Sequence, residues 1–376
     1  MKTRAAILSH FPAQKPYGVS KPLSIETVTL HDPGPHEVLV EVVAAGLCHS
    51  DLSVINGDRP RPMPMALGHE AAGQVVRCGP GVEDLVPGDK VVMVFVASCG
   101  MCGPCAEGRP ALCEPGAASN NAGTLLSGAQ KIIGSSGPIH HHLGVSAFAE
   151  HAVVSRRSLV KVPDDLPYET AALFGCAVLT GMGAVVNTAK VSPGQVVAVV
   201  GLGGVGLAAV LGALAAGAAE VIALDINAEK LAVAASLGAT QTFNAADTDT
   251  PGKVRELTKG GVEVAVETAG VVPALELAYD ITRRGGMTVT AGLTNPAARY
   301  PLSPVKMVAE ERILAGSYHG GGVPGRDIGR YIALHQAGRL PVEKLHSGTS
   351  PLDDINEGFD LLDQGRSIRH VIRIRP

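Results

Sequence analysis

Four of the seven cysteines, Cys99, Cys102, Cys105 and Cys113, fall within fifteen residues at the spacing C-x2-C-x2-C-x7-C. Tetrahedral zinc takes four thiolates on short turns, and Gly100, Gly103 and Pro104 supply such turns here. Two disulfides are the other use of four cysteines. The two-residue gaps argue against them, as does the start of the chain: Met1-Lys2-Thr3-Arg4-Ala5 runs into mixed sequence with no apolar leader, so the expected compartment is the reducing cytoplasm. A closed four-thiolate site has no position for substrate, so this zinc is expected to be structural. Two of the other cysteines, Cys48 and Cys176, could join His69 as two soft thiolates and an imidazole, a set that leaves a fourth zinc position open. They lie far apart in sequence, and spacing alone does not single them out. Cys78 has no partner pattern and reads as a small core residue.

A second chemical signal is Gly201-Leu202-Gly203-Gly204-Val205-Gly206, which fits G-x-G-x-x-G. It follows the apolar strand Val196-Val197-Ala198-Val199-Val200 and opens a helix of small residues, the context that gives the motif meaning. The first glycine permits the tight turn, the second lets backbone approach a pyrophosphate, and the third allows close helix–strand packing. Asp225 ends the next strand, 19 residues after Gly206. Its carboxylate can accept hydrogen bonds from a ribose 2′-OH and would repel a 2′-phosphate, which favours NAD over NADP.

The elements that must position these groups differ along the chain. The first part reads as short strands with frequent Gly and Pro, for example Glu37–Val43, Gly73–Val76 and the turn-and-strand segment Asp84–Val92. Residues 114–138 are rich in Gly, Ser, Ala and Asn and read as a long surface loop. From about residue 178 strands alternate with helices: Val196–Val200, Val205–Ala216, Val221–Asp225, Ala228–Leu237, Val262–Glu267 and Met287–Ala291. That alternation argues for a parallel, doubly wound sheet. The tail reads as helices near Ile328–Ala337 and Ile355–Gln364 and a closing strand His370–Ile374.

The chain has 376 residues, 46% of them apolar and 18% charged, enough for buried cores and a two-domain prior, and too apolar for a disordered chain. With 31 basic and 35 acidic residues the net charge is −4, which gives no electrostatic case for nucleic acid or an anionic membrane. Val196–Ala219 carries no charge over 24 residues, but six glycines interrupt it, so a strand and a turn are expected there rather than a membrane span.

The segment Gly68-His69-Glu70-x2-Gly73-x5-Gly79-x2-Val82 resembles the signature of zinc-containing alcohol dehydrogenases. Pro138-Ile139-His140-His141-His142-Leu143-Gly144 and Ile355-Asn356-Glu357-Gly358-Phe359-Asp360-Leu361-Leu362 resemble the liver-type branch of that medium-chain family and its bacterial relatives. The resemblance runs over nearly the whole chain. It implies an α/β protein: a β-rich, GroES-like catalytic domain of 1–177 and 319–376, with a Rossmann domain of 178–318 inserted between.

The same resemblance makes Cys48, His69 and Cys176 catalytic zinc ligands, with Glu70 and Asp51 behind the metal and Ser50 receiving the alcohol proton. It puts His49 and Arg369 at the coenzyme pyrophosphate, Lys230 near the adenosine ribose, and Thr180, Val205 and Leu293 around the nicotinamide. The cofactors implied are two zinc ions and NAD, the reaction is hydride exchange between a small-molecule alcohol and its aldehyde or ketone, and the assembly is a homodimer. A thiol-dependent formaldehyde dehydrogenase is the rival, but Arg59, Arg61 and Ala117 stand where that branch carries an acidic pair and an arginine. Ser53 stands where the liver-type proton relay has a histidine.

By resemblance the substrate pocket draws on Ser50, Phe95, His142, Leu143, Tyr318 and His319. His142, His319 and Arg59 either favour a polar or larger substrate or are solvated rim residues. Consecutive His140, His141 and His142 are not expected to converge on a third metal. Arg366, Arg373 and Arg375 are expected along a solvated strand edge.

Overall fold

The computed structural model describes residues 1–375, which fold as two units. The first comprises residues 1–176, 323–330 and 346–375, and the second Ala177–Gly322 and Tyr331–Leu345.

The first unit is built on strands. Val, Leu and Ile recur in short runs bounded by Gly and Pro, a composition that suits a pleated, half-buried surface. The strand Glu37–Gly46 is its spine: it pairs antiparallel with Ala71–Cys78, with His151–Ser155 and, at its end, with Arg369–Arg373. Lys90–Met93, Leu159–Lys161 and His346–Pro351 complete this seven-stranded sheet. Lys2–Leu8, Leu23–Leu30, Ile132–Gly134, Gly137–His141 and Met65–Ala66 close a small barrel. The core joins Val38, Val40, Val42, Leu47, Val75, Phe148 and Phe359, all buried.

The second unit holds a six-stranded sheet, every pair in it parallel. Its order is Gln241–Asn244, Glu220–Asp225, Val196–Val200, Val262–Glu267, Thr282–Thr290, Ile313–Gly316. Numbered along the chain this is 3-2-1-4-5-6, the doubly wound arrangement whose ligand crevice lies where the order reverses. That point is the carboxyl end of Val196–Val200, from which the glycine loop leads into the helix Gly204–Ala215. Val197, Ala198, Val199, Val200, Ile222 and Leu224 are fully buried, as strands covered on both faces must be.

Four features depart from the sequence reading. Residues 114–138 are not one loop. Glu114–Ala122 is a helix, started by Pro115 and the Cys113 sulfur, which accepts from the Gly116 amide, and stopped by left-handed Gly123. Its Ala, Ser and Asn carry no apolar stripe, so capping rather than periodicity marks it. Further on, Ile132–Gly134 and Gly137–His141 form a hairpin. The tail is divided: Tyr331–Leu345 packs with the second unit, because the turn Val342–Leu345 lies on the helix Gly204–Ala215. Arg369–Arg373 is an inner strand between Glu37–Gly46 and His346–Pro351, not an edge. Arg373 and Arg375 reach outward from it to Glu169 and Glu41. No helix among the described residues is long and apolar enough to cross a membrane.

Candidate metal and dinucleotide sites

Three separate stretches of the first unit deliver Cys48, His69 and Cys176 to one place. Cys48 is the extended residue between the spine strand and the helix His49–Ile55. His69 follows Gly68, whose φ of +96° and whose position against the Phe148 backbone exclude any side chain. Cys176 closes the turn after the helix Tyr168–Leu173. All three are buried, and their ligand atoms lie within 4.8 Å of one another. His69 Nε2 has no hydrogen-bond partner although it is buried. Two thiols and an unpartnered imidazole nitrogen, converging in a buried pocket, form a donor set that fits zinc. The Cys176 thiol, with help from His69 and Arg369, holds Cys48 well below the ordinary thiol value, while Cys48 and burial push Cys176 up.

Acidic groups back this cluster. Asp51 Oδ2 is 3.0 Å from His69 Nδ1, and Asp51 Oδ1 is 3.0 Å from His142 Nδ1 and accepts from the Gly68 amide at 2.9 Å. Burial opposes ionisation of Asp51, but the two imidazoles outweigh it and hold the carboxyl at about 2. Asp51, His69 and His142 are all buried, with their ligand atoms also within 4.8 Å of one another. Glu70 is fully buried, 3.4 Å from Arg369, whose Nη1 also donates to the Leu47 carbonyl at 3.0 Å. Burial pushes Glu70 up to about 7 against the pull of Arg369. Arg369 is therefore packed into the floor of the first unit. Ser50 is half-buried in the first turn of His49–Ile55, and His49 is exposed.

The four-cysteine lobe also converges, with its sulfurs within 4.8 Å of one another. The amides of Met101 and Cys102 donate to Cys99 Sγ at 3.5 and 3.3 Å and hold that thiol at about 6. Cys113 Sγ accepts from Cys99 and Gly116 at 3.1 and 3.3 Å. Amide donors aimed at sulfur are the environment a thiolate needs, so this set also fits zinc, with no open position. Cys78 is half-buried, its thiol donating to the Leu85 carbonyl at 3.4 Å.

In the second unit a Cβ on Gly206 would fall 1.8 Å from the Gly201 carbonyl oxygen, so helix and loop can meet only over glycine. At Gly203 a Cβ would meet nothing within 4 Å. The chain itself does not demand a glycine there; a backbone left bare at a helix N-terminus fits an approaching phosphate. Asp225 is buried, and its oxygens accept from the Leu202 amide at 2.6 Å and the Asn227 amide at 2.9 Å. These bonds brace the glycine loop and leave lone pairs for a ribose hydroxyl. Gly204 and Thr180 are buried, Val205 and Lys230 are half-buried, and Leu293 is exposed. Of the pocket residues expected from the sequence, Ser50, Phe95, His142 and Leu143 belong to the first unit and Tyr318 and His319 to the second. Phe95 meets His69 edge to face at 5.2 Å. His142 and His319 are buried, not solvated rim residues.

Residues 34–164 match the family model described as the alcohol dehydrogenase GroES-like domain, and 204–335 the one described as zinc-binding dehydrogenase. The alcohol dehydrogenase zinc-binding domain protein of Burkholderia ambifaria is 34% identical over 100% of both chains, with a TM-score of 0.94. The chain belongs to the zinc-containing alcohol dehydrogenase family. Benzyl alcohol dehydrogenase from Acinetobacter calcoaceticus is 30% identical over 100% of both chains at a TM-score of 0.93. A zinc-binding dehydrogenase from Sinorhizobium meliloti, bound to NADP, is 26% identical over 99% of each chain at 0.79.

Sequence reasoning missed one supporting contact and one supporting residue of this dehydrogenase. The partnership of His142 with Asp51 has no spacing signal, because 91 residues separate them. Glu267 ends a central strand of the second unit and accepts from the Gly270 amide (2.6 Å) and the Thr290 hydroxyl (2.7 Å), tying two loops together at the carboxyl edge of the sheet. Its one trace in sequence is a charge closing an otherwise apolar strand.

Proposed function

We propose that this enzyme is a zinc-dependent, NAD-linked alcohol dehydrogenase that interconverts a small alcohol with its aldehyde or ketone. The observation that carries the reading is the buried convergence of Cys48, His69 and Cys176 with His69 Nε2 unpartnered. Zinc bound there supplies Lewis-acid polarisation of the substrate oxygen, and NAD supplies the hydride acceptor. The residues do the rest. Asp51 holds the proton of His69 on Nδ1 and so keeps Nε2 free as a donor. Ser50 Oγ would accept the substrate hydroxyl proton while giving up its own hydrogen toward solvent, since Ser50 is only half-buried. Ser53 does not extend that route in the structure, since its hydroxyl donates to the His49 carbonyl at 2.7 Å. Glu70 and Arg369 face each other at 3.4 Å behind the cluster. Gly203 and the Asp225 carboxylate favour a dinucleotide with a free ribose hydroxyl, hence NAD, although one relative binds NADP.

Phe95 beside His69 and buried Leu143 give the metal pocket apolar walls, and the Nδ1 of His142 is committed to Asp51. Both points favour apolar alcohols over hydroxy acids. Arg59, Arg61 and Ala117 disfavour a thiol-dependent formaldehyde dehydrogenase. We assign the chain to the cytoplasm and to a homodimer. The seven free cysteines support a reducing compartment, and exposed Val305 and Val308 on the helix Pro304–Ala309, with exposed Ile313 on the edge strand Ile313–Gly316, support self-association.

The test is cofactor absorbance with ethanol, benzyl alcohol, a hydroxy acid, and formaldehyde with and without a thiol carrier, each with NAD and with NADP. Turnover of an apolar alcohol with NAD is expected. No turnover of any alcohol with either cofactor would sink the reading, and turnover of formaldehyde only with the thiol would transfer it to the rival.

A further inference from the structure

Asp51 holds one imidazole more than the orientation of a metal ligand requires. Its Oδ2 faces His69 Nδ1 at 3.0 Å, and its Oδ1 faces His142 Nδ1 at the same distance. The Gly68 amide donates to Oδ1 as well. All three side chains are buried, and the two rings meet edge to face with centroids 5.6 Å apart. Each ring thus turns its Nδ1 toward the same carboxylate, the arrangement in which a hydrogen on Nδ1 is favoured.

The backbone sets His142 for this contact. Its amide lies at the end of the strand Gly137–His141, 3.2 Å from the Ala66 carbonyl and 3.0 Å from Ser146 Oγ, so the ring comes from the strand beside Met65–Ala66, the segment that leads to Gly68 and His69. A carboxylate has a broad torsion about its last bond. With one ring and one amide, both on the segment it must orient, Asp51 could turn together with His69. A second ring from another strand fixes the carboxylate plane independently.

We propose that His142 is a positioning residue of the metal centre: acting through Asp51, it fixes the orientation and tautomer of His69 and thereby the retention of the zinc held by Cys48, His69 and Cys176. This inference rests on the function proposed above. It gives His142 a role in holding metal, in place of the pocket or rim role read from the sequence.

The experiment compares H142F, which keeps a ring and removes the donor, with H142N, whose amide nitrogen can stand where Nδ1 stood. Zinc release to a chromophoric chelator is timed for each, the visible spectrum is recorded after cobalt replacement, and circular dichroism checks folding. H142F is expected to release one zinc about tenfold faster than wild type and to shift the cobalt bands, the scale on which partners behind a metal ligand act. H142N is expected to restore both, and the second zinc should leave at the wild-type rate in all variants. Should H142F not fold, H142L carries the same expectation. Wild-type release and spectrum in H142F, or an H142N that behaves like H142F, would overturn the proposal. A wild-type chain that holds zinc on the four-cysteine lobe alone would overturn the function reading itself, which separates the two failures.

Discussion

The four-cysteine lobe and the Cys48–His69–Cys176 cluster use the same side chain under opposite conditions. In the lobe Cys99, Cys102 and Cys105 are partly exposed, and support for the sulfurs comes from backbone amides within a few residues. In the cluster every ligand is buried, and support comes from side chains distant in sequence: Asp51, Glu70, His142 and Arg369. Charge explains the difference. Four thiolates leave a zinc site net negative, which calls for water and amide donors. Two thiolates and a neutral imidazole balance the ion, so the site tolerates burial. The lobe closes its ion in; the cluster holds an ion while leaving it a free position.

This contrast can be broken most sharply at Cys176. Cys176→Ala is expected to lower kcat/KM for the best alcohol at least about a thousandfold, roughly 4 kcal/mol of transition-state stabilisation, while NAD affinity by fluorescence titration stays near wild type. A variant that keeps substantial activity would remove the cluster from the chemistry. Next in size is Ser50→Ala, where loss of the proton acceptor should cost about a hundredfold in kcat, measured in steady state, with both zinc ions retained. If kcat is unchanged, the proton leaves by another group. The smallest effect on activity is expected at the lobe. Cys105→Ser should lose its zinc and melt several degrees lower by calorimetry, yet turn over substrate at close to the wild-type rate per folded chain at low temperature. A large loss of kcat in the folded variant would show that the lobe takes part in more than stability.

The two regions also differ in how far the sequence discloses them. The lobe is legible because its ligands, turns and amide donors all fall within about one loop, so spacing alone carries the geometry. The same holds for Gly201–Gly206, whose strand, loop and helix are contiguous; the helix Ala228–Leu237 and the strand Val196–Val200 occur as read from the sequence. Cys48, His69 and Cys176 are brought together by sheet topology, and only the family resemblance named them. His142 was legible as a residue near the site but not in its contact, because the partner of an imidazole is decided by packing. The helix Glu114–Ala122 escaped for a different reason: it lies on the surface with no apolar stripe, and its start is capped by a cysteine sulfur in place of the usual Ser, Thr, Asp or Asn.

The most direct test of the account is the zinc content of pure, folded protein, determined by elemental analysis on wild type and Cys176→Ala side by side after dialysis against a mild chelator. The account predicts two zinc ions per wild-type chain and one per Cys176→Ala chain. One ion in wild type, or two in both, would contradict it.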